Sequence, residues 1–282
     1  MIGFLVQMIR IAVPYALAAM GGAVTEKSGT IDLALEAKLL FGAFAAAAVG
    51  YAADSAWLGL ATGIAAGMAV AALQIWLTQI MEADQVIVGV ALNLLALGGT
   101  RFLLQLLFDQ GANSPPTPGF GDAVVTNPIV WLAVLAAIGL PVALRRTRWG
   151  LRLRAAGDRP EALVAVGVSP KRARLAAGLV GGALAGAGGA QLSLSVNGFS
   201  ADMSNGRGYI ALAMIILANW RPGWAAVACL AVAGAEAGRI LLQVTDVAIP
   251  RELTPLLPYA LTLGVIAVFG GRQRPPASLG KR

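Results

Sequence analysis

The stretch Arg145-Arg146-Thr147-Arg148-Trp149-Gly150-Leu151-Arg152-Leu153-Arg154 lies between two apolar runs, roughly 128 to 144 and 175 to 196, and that juxtaposition decides the fold class. Each run is close to the length a helix rising 1.5 Å per residue needs to cross a hydrocarbon core of about 30 Å. A basic segment framed by two such runs reads as an inter-helix loop of a membrane protein. Similar runs recur at 3–24, 31–50, 56–80, 86–108, 209–219, 223–243 and 255–270, with 209–219 too short to cross alone. Composition agrees, with 58% hydrophobic residues, 12% charged, 35 glycines and a mean hydropathy of +0.75 over 282 residues. A water-soluble globule would carry fewer apolar residues. Tight alternation is absent, which excludes a β-barrel reading. The expected fold is all-α, a polytopic transmembrane bundle of about 8 to 10 helices forming a single domain over 1–282.

A net charge of +7 would suggest nucleic acid in a soluble protein. Here the cations crowd into a few inter-helix segments with a single aromatic, Trp149, in the basic loop instead of a regular interleaving, so they report topology. By the excess of Lys and Arg on cytoplasmic loops, residues 145–174 are expected inside. Four spans later the tail with Arg272, Arg274, Lys281 and Arg282 is inside again, and counting backwards puts the turn Thr25-Glu26-Lys27-Ser28-Gly29 inside and the loop 109–127 outside. That outer loop has acids but no Lys or Arg, and its Asn113-Ser114-Pro115-Pro116-Thr117-Pro118-Gly119 composition marks it as non-helical. The first run carries Arg10 and Pro14 and lacks an A-x-A-like cleavage site, so it is expected to stay as a helix.

Several chemistries are poor fits. There is no histidine and only one cysteine, Cys229, within an apolar run. The commonest metal ligand and general base are therefore missing, as is any intrachain disulfide. Ser193 and Ser195 have no base to activate them, and no catalytic residue or metal site is expected. No G-x-x-x-x-G-K-[ST] sequence occurs, so the chain itself carries no P-loop.

Polar residues inside the spans need an account, because a charge at the centre of a membrane helix costs roughly 2.5–3.5 kcal/mol on insertion scales. Asp32, Glu36 and Lys38 open the second span, with the two acids at i, i+4 and hence on one face if the helix starts there. They form either a polar wall of a substrate path or an interfacial group with Lys38 snorkelling. Asn93 and Thr100, two turns apart in the fourth span, either bind a ribose or base edge or glue helices together. Glu236 and Arg239, at i and i+3, read as a structural ion pair. The glycines from Gly178 to Gly189 have small-xxx-small spacings that let backbones approach closely. Laying Gly29-Thr30-Ile31-Asp32-Leu33-Ala34-Leu35-Glu36 against Gly206-Arg207-Gly208-Tyr209-Ile210-Ala211-Leu212-Ala213 suggests an inverted repeat, one copy entered from each side, with interrupted helices meeting near the midplane. The alternative is that Gly- and Ala-rich helices resemble one another in any case.

Within the basic loop, Glu161-Ala162-Leu163-Val164-Ala165-Val166-Gly167 has the spacing of the E-A-A-x-x-x-G loop of ABC importer permeases, with Leu163 in place of the second alanine. Pro160 suits the first position of a short amphipathic helix, capped by Asp158 or Arg159, that docks on a soluble subunit. The resemblance extends along the chain. It runs through Glu26-Lys27-Ser28-Gly29 with Leu35-Glu36, Ala83-Asp84-Gln85-Val86, Asn93-Leu94-Leu95-Ala96-Leu97-Gly98 and Thr100-Arg101-Phe102. It continues in Leu153-Arg154-Ala155-Ala156-Gly157-Asp158 with Pro160, the Gly206–Ala213 stretch, Trp220-Arg221-Pro222 and Leu257-Pro258-Tyr259. The sequence thus resembles the branched-chain amino acid, ribose and nucleoside class of ABC importer permeases, and within it the nucleoside or simple-sugar subgroup.

The resemblance implies one permease subunit in the inner membrane, with its C-terminus cytoplasmic. It would pair with a second permease, the same chain or a different one, with cytoplasmic ATPase subunits that hold ATP and Mg, and with an extracytoplasmic binding protein. Membrane lipid is its other partner and nucleic acid is not. Gly157, Asp158, Arg159, Pro160, Glu161, Ala162 and Gly167 would couple to the ATPase, while Arg145 to Arg154 anchors topology and headgroups. Asp32, Glu36, Asn93 and Arg207 would border the substrate path. Asp32 stands where the family often has Asn, Ala37 where Gly is common, and Lys38 where an apolar residue is usual, which bears on the substrate: nucleosides first, with simple sugars or branched-chain amino acids as alternatives. The N-terminus is short for the family, so one helix of the relatives is expected to be missing or merged. The rival class is a secondary transporter, which would need titratable groups deep in several helices, whereas the acids here lie mostly near helix ends.

Overall fold

The structure is a computed structural model and describes residues 2–121, 124–244 and 274–281. The described residues form ten helices: α1 (Ile2–Lys27), α2 (Leu35–Ala52), α3 (Ala56–Gln79), α4 (Gln85–Phe108), α5 (Pro128–Arg146), α6 (Arg148–Asp158), α7 (Pro160–Ala165), α8 (Pro170–Ser195), α9 (Arg207–Leu217) and α10 (Pro222–Val244). Seven of them, α1 to α5, α8 and α10, are long and apolar enough to cross a membrane, and α9 is a shorter apolar helix. The expected span 255–270 and the Leu257-Pro258-Tyr259 motif lie outside the described residues.

Helix ends are set by local chemistry. Asp84 caps α4 through Val86 and Ile87 N–H, and Asn127 caps α5 through Ile129 N–H. Pro128, Pro160, Pro170 and Pro222 each open a helix, where the missing N–H costs nothing. Pro14 lies inside α1, and Pro141 inside α5.

α8 is the hub. Its glycines pack directly on neighbouring backbones: Gly181 on Gly21 of α1, Gly182 and Gly186 on Gly67 and Gly63 of α3, and Gly189 on the Leu39 carbonyl of α2. Without hydrophobic drive between helices in lipid, close backbone approach is what holds them. The edges are the reverse. α4 and α5 turn Ile87, Leu94, Phe102, Leu135 and Ile138 outward, all well exposed.

Three segments expected on one side meet there. The Ser278 N–H donates to the Gly157 carbonyl and the Gly280 N–H to the Gly29 carbonyl, so the tail, the basic loop and the turn after α1 share one face, called here the basic face. At the opposite, far face, the loop 109–121 runs beside 196–201: Asn113 bridges Ser200, Ser114 N–H donates to Phe199, and Thr117 N–H to Asn197.

Between these faces two helices start part-way. After α1 reaches the basic face, residues 28–34 turn back without helical structure and α2 begins at Leu35. The Ala37 N–H there meets the Asn93 side chain, about 12 Å along α4 from Gln85. After α8 reaches the far face, residues 196–206 re-enter and α9 begins at Arg207. α9 then ends at the basic face, where Trp220 just beyond it donates to Glu26. The two interrupted helices thus enter from opposite faces, as the aligned glycine-started segments predict. The sequence expectation starts the second span at residue 31, before the non-helical approach ends.

Placing a side chain at Gly189 forces it into the Leu39 carbonyl, whereas among the described residues nothing lies within 4 Å of a Cβ at Gly139 on the outer face of α5. Gly189→Ile is expected to lower the thermal stability of the detergent-solubilised protein by about 1–3 kcal/mol or to block its accumulation, with Gly139→Ile close to wild type. Equal melting of the two variants would count against the α8 hub.

Candidate functional site

The starts of α2 and α9 meet, and a single carboxylate joins them. Glu36, in the first turn of α2, accepts through Oε1 from the Ser204 hydroxyl at 2.6 Å and the Gly206 N–H at 2.8 Å. Its Oε2 accepts from the Gly208 N–H at 2.6 Å. The first N–H groups of a helix have no partner within the helix, and its N-terminus carries partial positive charge. Glu36 answers both needs for α9 while it sits at the positive end of α2. The approach depends on Gly208, because a Cβ there would strike the Glu36 backbone.

α2 receives matching treatment from α4. Asn93 accepts from the Ala37 N–H at 2.9 Å and donates to the Leu33 carbonyl at 2.8 Å and to the Tyr209 hydroxyl at 3.1 Å. The non-helical approach is held by Gln85, which accepts from Ile31 N–H, by Gln74, which donates to the Ile31 carbonyl, and by Glu26, which accepts from Asp32 N–H. Lys38 and Asp32 form an ion pair, both side chains with 0% exposure. Since Asp32 precedes the helix, it does not share a face with Glu36, and Lys38 does not snorkel. Ala37 is fully buried, and Thr100 bonds within its own helix to Ala96.

Beside this junction a cavity of about 590 Å³ opens among the first half of α1, the end of α8, the re-entrant segment and the start of α9. Gln7, Arg10, Ser195, Asp202, Asn205 and Arg207 give it a polar lining. Arg207 is held by the Met203 carbonyl at 2.7 Å, lies 5.8 Å over the Tyr15 ring and is 3.6 Å from Glu236. Glu236 accepts from Tyr15 at 2.9 Å. The expected Glu236–Arg239 pair is replaced by this long-range one, because Arg207 and Tyr15 meet the carboxylate across the helices. Of the four residues expected along the path, Arg207 lines the cavity, while Asp32, Glu36 and Asn93 hold the helix starts.

On the basic face, α6 and α7 carry the remaining expected residues. Pro160 opens α7, with Arg159 as its N-cap. Asp158, Arg159, Glu161, Ala162 and Gly167 are exposed, and Gly167 closes the turn at φ +74°. Leu163 is buried beneath them, whereas Val164 and Val166 are 64% and 71% exposed. Gly157 is different. It is buried with its Cα against the Lys27 carbonyl, and its own carbonyl accepts from the N–H and hydroxyl of Ser278 at 2.8 and 2.6 Å. Ser278 also donates to Ala156, and Arg274 N–H donates to Asn219 just after α9. The tail therefore ties α6 to the turn that leads into α2. The roles of Ser278 and Gly280 leave no sign in the sequence, since nothing in a Pro-Pro-Ala-Ser-Leu-Gly stretch says where it docks; Tyr15 shows only as a polar ring in an apolar run, and Tyr209, though part of the glycine-started segment, carries no mark of its bond to Asn93. Among the described residues no group of three His, Cys, Asp or Glu side chains is placed to hold a metal ion.

Comparison with known proteins places these features in context. Residues 4–266 match the family described as branched-chain amino acid transport system / permease component. The chain is 29% identical to the guanosine ABC transporter permease protein NupQ of Bacillus subtilis, over 95% of this chain and 92% of that protein. It is 29% identical to the nucleoside ABC transporter permease protein NupC of Lactococcus lactis, over 97% and 94%. It is 34% identical to the putative glucose ABC transporter permease protein TsgC13 of Haloferax volcanii, over 78% and 71%. No solved structure matches it.

Leaving Asp32 buried without its cation is expected to cost about 3–5 kcal/mol, and removing both charges much less. Lys38→Leu should therefore melt well below wild type, and Asp32→Asn combined with Lys38→Leu should recover most of the loss. A double variant no more stable than Lys38→Leu would refute the pairing.

Proposed function

The chain belongs to the branched-chain amino acid transport system / permease component family, and from that premise we propose that it is the permease subunit of an ATP-driven ABC importer of nucleosides. The observation that carries the substrate reading is the near full-length match to two permeases named for guanosine and nucleosides. The cavity bordered by Arg207 suits it, since its hydroxyl, amide and charged groups can exchange hydrogen bonds with a polar, hydroxylated solute. A second reading, simple sugars, is favoured by the 34% identity to a putative glucose permease.

In this reading the protein is a multi-pass subunit of the inner membrane, with the basic face and tail in the cytoplasm. It performs no catalysis and holds no cofactor; ATP and Mg²⁺ belong to the ATPase partner. A second permease completes the path, and an extracytoplasmic binding protein delivers substrate to the far face.

The coupling element is α7. Its exposed Glu161, Ala162 and Val164, with Val166 just beyond its end, offer a small amphipathic surface for a groove on the ATPase. Force on α7 passes to α6, and from Gly157 to the Lys27–Gly29 turn and to Ser278. That turn leads through residues 30–34 into α2, whose Glu36 holds the start of α9. Motion of the basic face is thereby delivered to the pair of interrupted helices beside the cavity. Arg207 borders the path, and Asp32, Glu36 and Asn93 set the positions of the helices that line it.

Nucleoside uptake by cells expressing the whole importer tests this reading. Competition by unlabelled nucleosides and none by sugars or branched-chain amino acids is expected; competition by sugars alone would overturn the substrate. Gly167→Asp and Glu161→Ala should lower uptake at least about tenfold with insertion unchanged. Ser278→Ala, which keeps the backbone bond but loses two hydroxyl bonds, should give a smaller loss in the same direction.

A further inference from the structure

A second cavity, of about 300 Å³, opens on the basic face where the end of α1, the end of α5, α6 and the start of α10 converge. Its rim carries Lys27, Arg145, Arg154 and Arg221, and among the described residues no acid lines it. None of these four is in an ion pair among the described residues. The Arg154 Nε is buried and has no hydrogen-bond partner among the described residues. Asp158 lies in an adjoining cavity with Arg274, Lys27 and Arg154, and Glu26, next to Lys27, is turned away to accept from Trp220. Such an excess of cations in a concavity is costly unless an anion joins them.

The rest of the lining says which kind of anion. Pro141, Leu144 and Val227 form an apolar wall, and Trp224, 61% exposed, stands at the mouth. Pro141 and Leu144 belong to a membrane-crossing helix, as do Trp224 and Val227. The cavity therefore runs from charged rim to lipid-facing helix surface, and Trp is the residue that favours the headgroup level. A soluble anion would need the cations but not this wall. Basic pockets between helices at the cytoplasmic boundary are the kind of site that holds phospholipid headgroups.

We infer that Lys27, Arg145, Arg154 and Arg221 bind the phosphodiester of an anionic membrane lipid, with the acyl chains running along α5 and α10. The site goes beyond the transport reading and does not depend on the substrate. It has a structural reach, because Lys27 joins the turn that Gly157 contacts, and Arg221 precedes α10. An anion there neutralises the repulsion among elements that move together in coupling.

The test uses the full chain purified in detergent, incubated with phosphatidylglycerol or phosphatidylcholine, with retained lipids counted by native mass spectrometry. Wild type is expected to retain phosphatidylglycerol over phosphatidylcholine. Replacing Arg154 and Arg221 together by Gln should weaken that retention roughly tenfold or more, at about 1 kcal/mol per cation. Arg148→Gln, an exposed cation of the same loop that does not line the cavity, should leave it unchanged. Equal retention of the two lipids by wild type overturns the inference even if the double variant fails to fold. Displacement of the lipid by millimolar inorganic phosphate would also overturn it, assigning the site to a soluble anion. Unaltered lipid retention by the double variant, with loss of ATPase co-purification, would assign the cations to a protein contact instead.

Discussion

One carboxylate bears the architecture. A helix that begins inside a membrane exposes N–H groups where no water can satisfy them, and each orphan costs several kcal/mol. The chain begins two such helices, α2 and α9, and brings the two starts together at Glu36. The surrounding structure serves that junction: Gly208 lets it close, Asn93 satisfies α2 from the side, and Lys38 with Asp32 neutralises the approach to it. The glycine-lined hub of α8 holds α1, α2 and α3 near enough for these bonds to form.

The acid at position 32 and the lysine at position 38, which the sequence reading takes as departures from the family pattern, gain a simpler meaning from this geometry. Taken singly, an acid for an amide and a lysine for an apolar residue look like changes of specificity. They face each other at full burial, so each compensates the other and the net charge added to the bundle is zero. The substrate reading thus rests on the relatives and the cavity, with these two positions belonging to the frame.

Much of this was legible in the residues, and the limits have physical causes. Apolar length announces a spanning helix because hydrocarbon demands it, so α1, α3, α4, α5, α8 and α10 fall close to their expected runs. The paired glycine-started segments also showed in the sequence, since Gly206 takes φ +78° and Gly29 φ +97° to turn the chain before each interrupted helix. The late start of α2 did not, because Ile31, Leu33 and Ala34 are as apolar outside a helix as within one. Side-chain partners were the least legible. Local spacing favoured Glu236 with Arg239, but in a bundle the nearest cation is set by which helices pack, and α9 supplies Arg207. The docking of Ser278 and Gly280 depends on carbonyls at Gly157 and Gly29, which no side-chain pattern reports.

The Glu36 junction also sets a clock for assembly. Its partners at Ser204, Gly206 and Gly208 lie 168 to 172 residues further along the chain. At ribosomal rates of about 5–20 residues per second, roughly ten to thirty seconds pass between synthesis of the acid and arrival of the groups that bind it. α9, with 11 residues and an arginine at its head, is too short to cross alone and must be drawn in by structure already present. The acid is therefore made well before the groups that bind it, and the junction closes only once the last helices arrive.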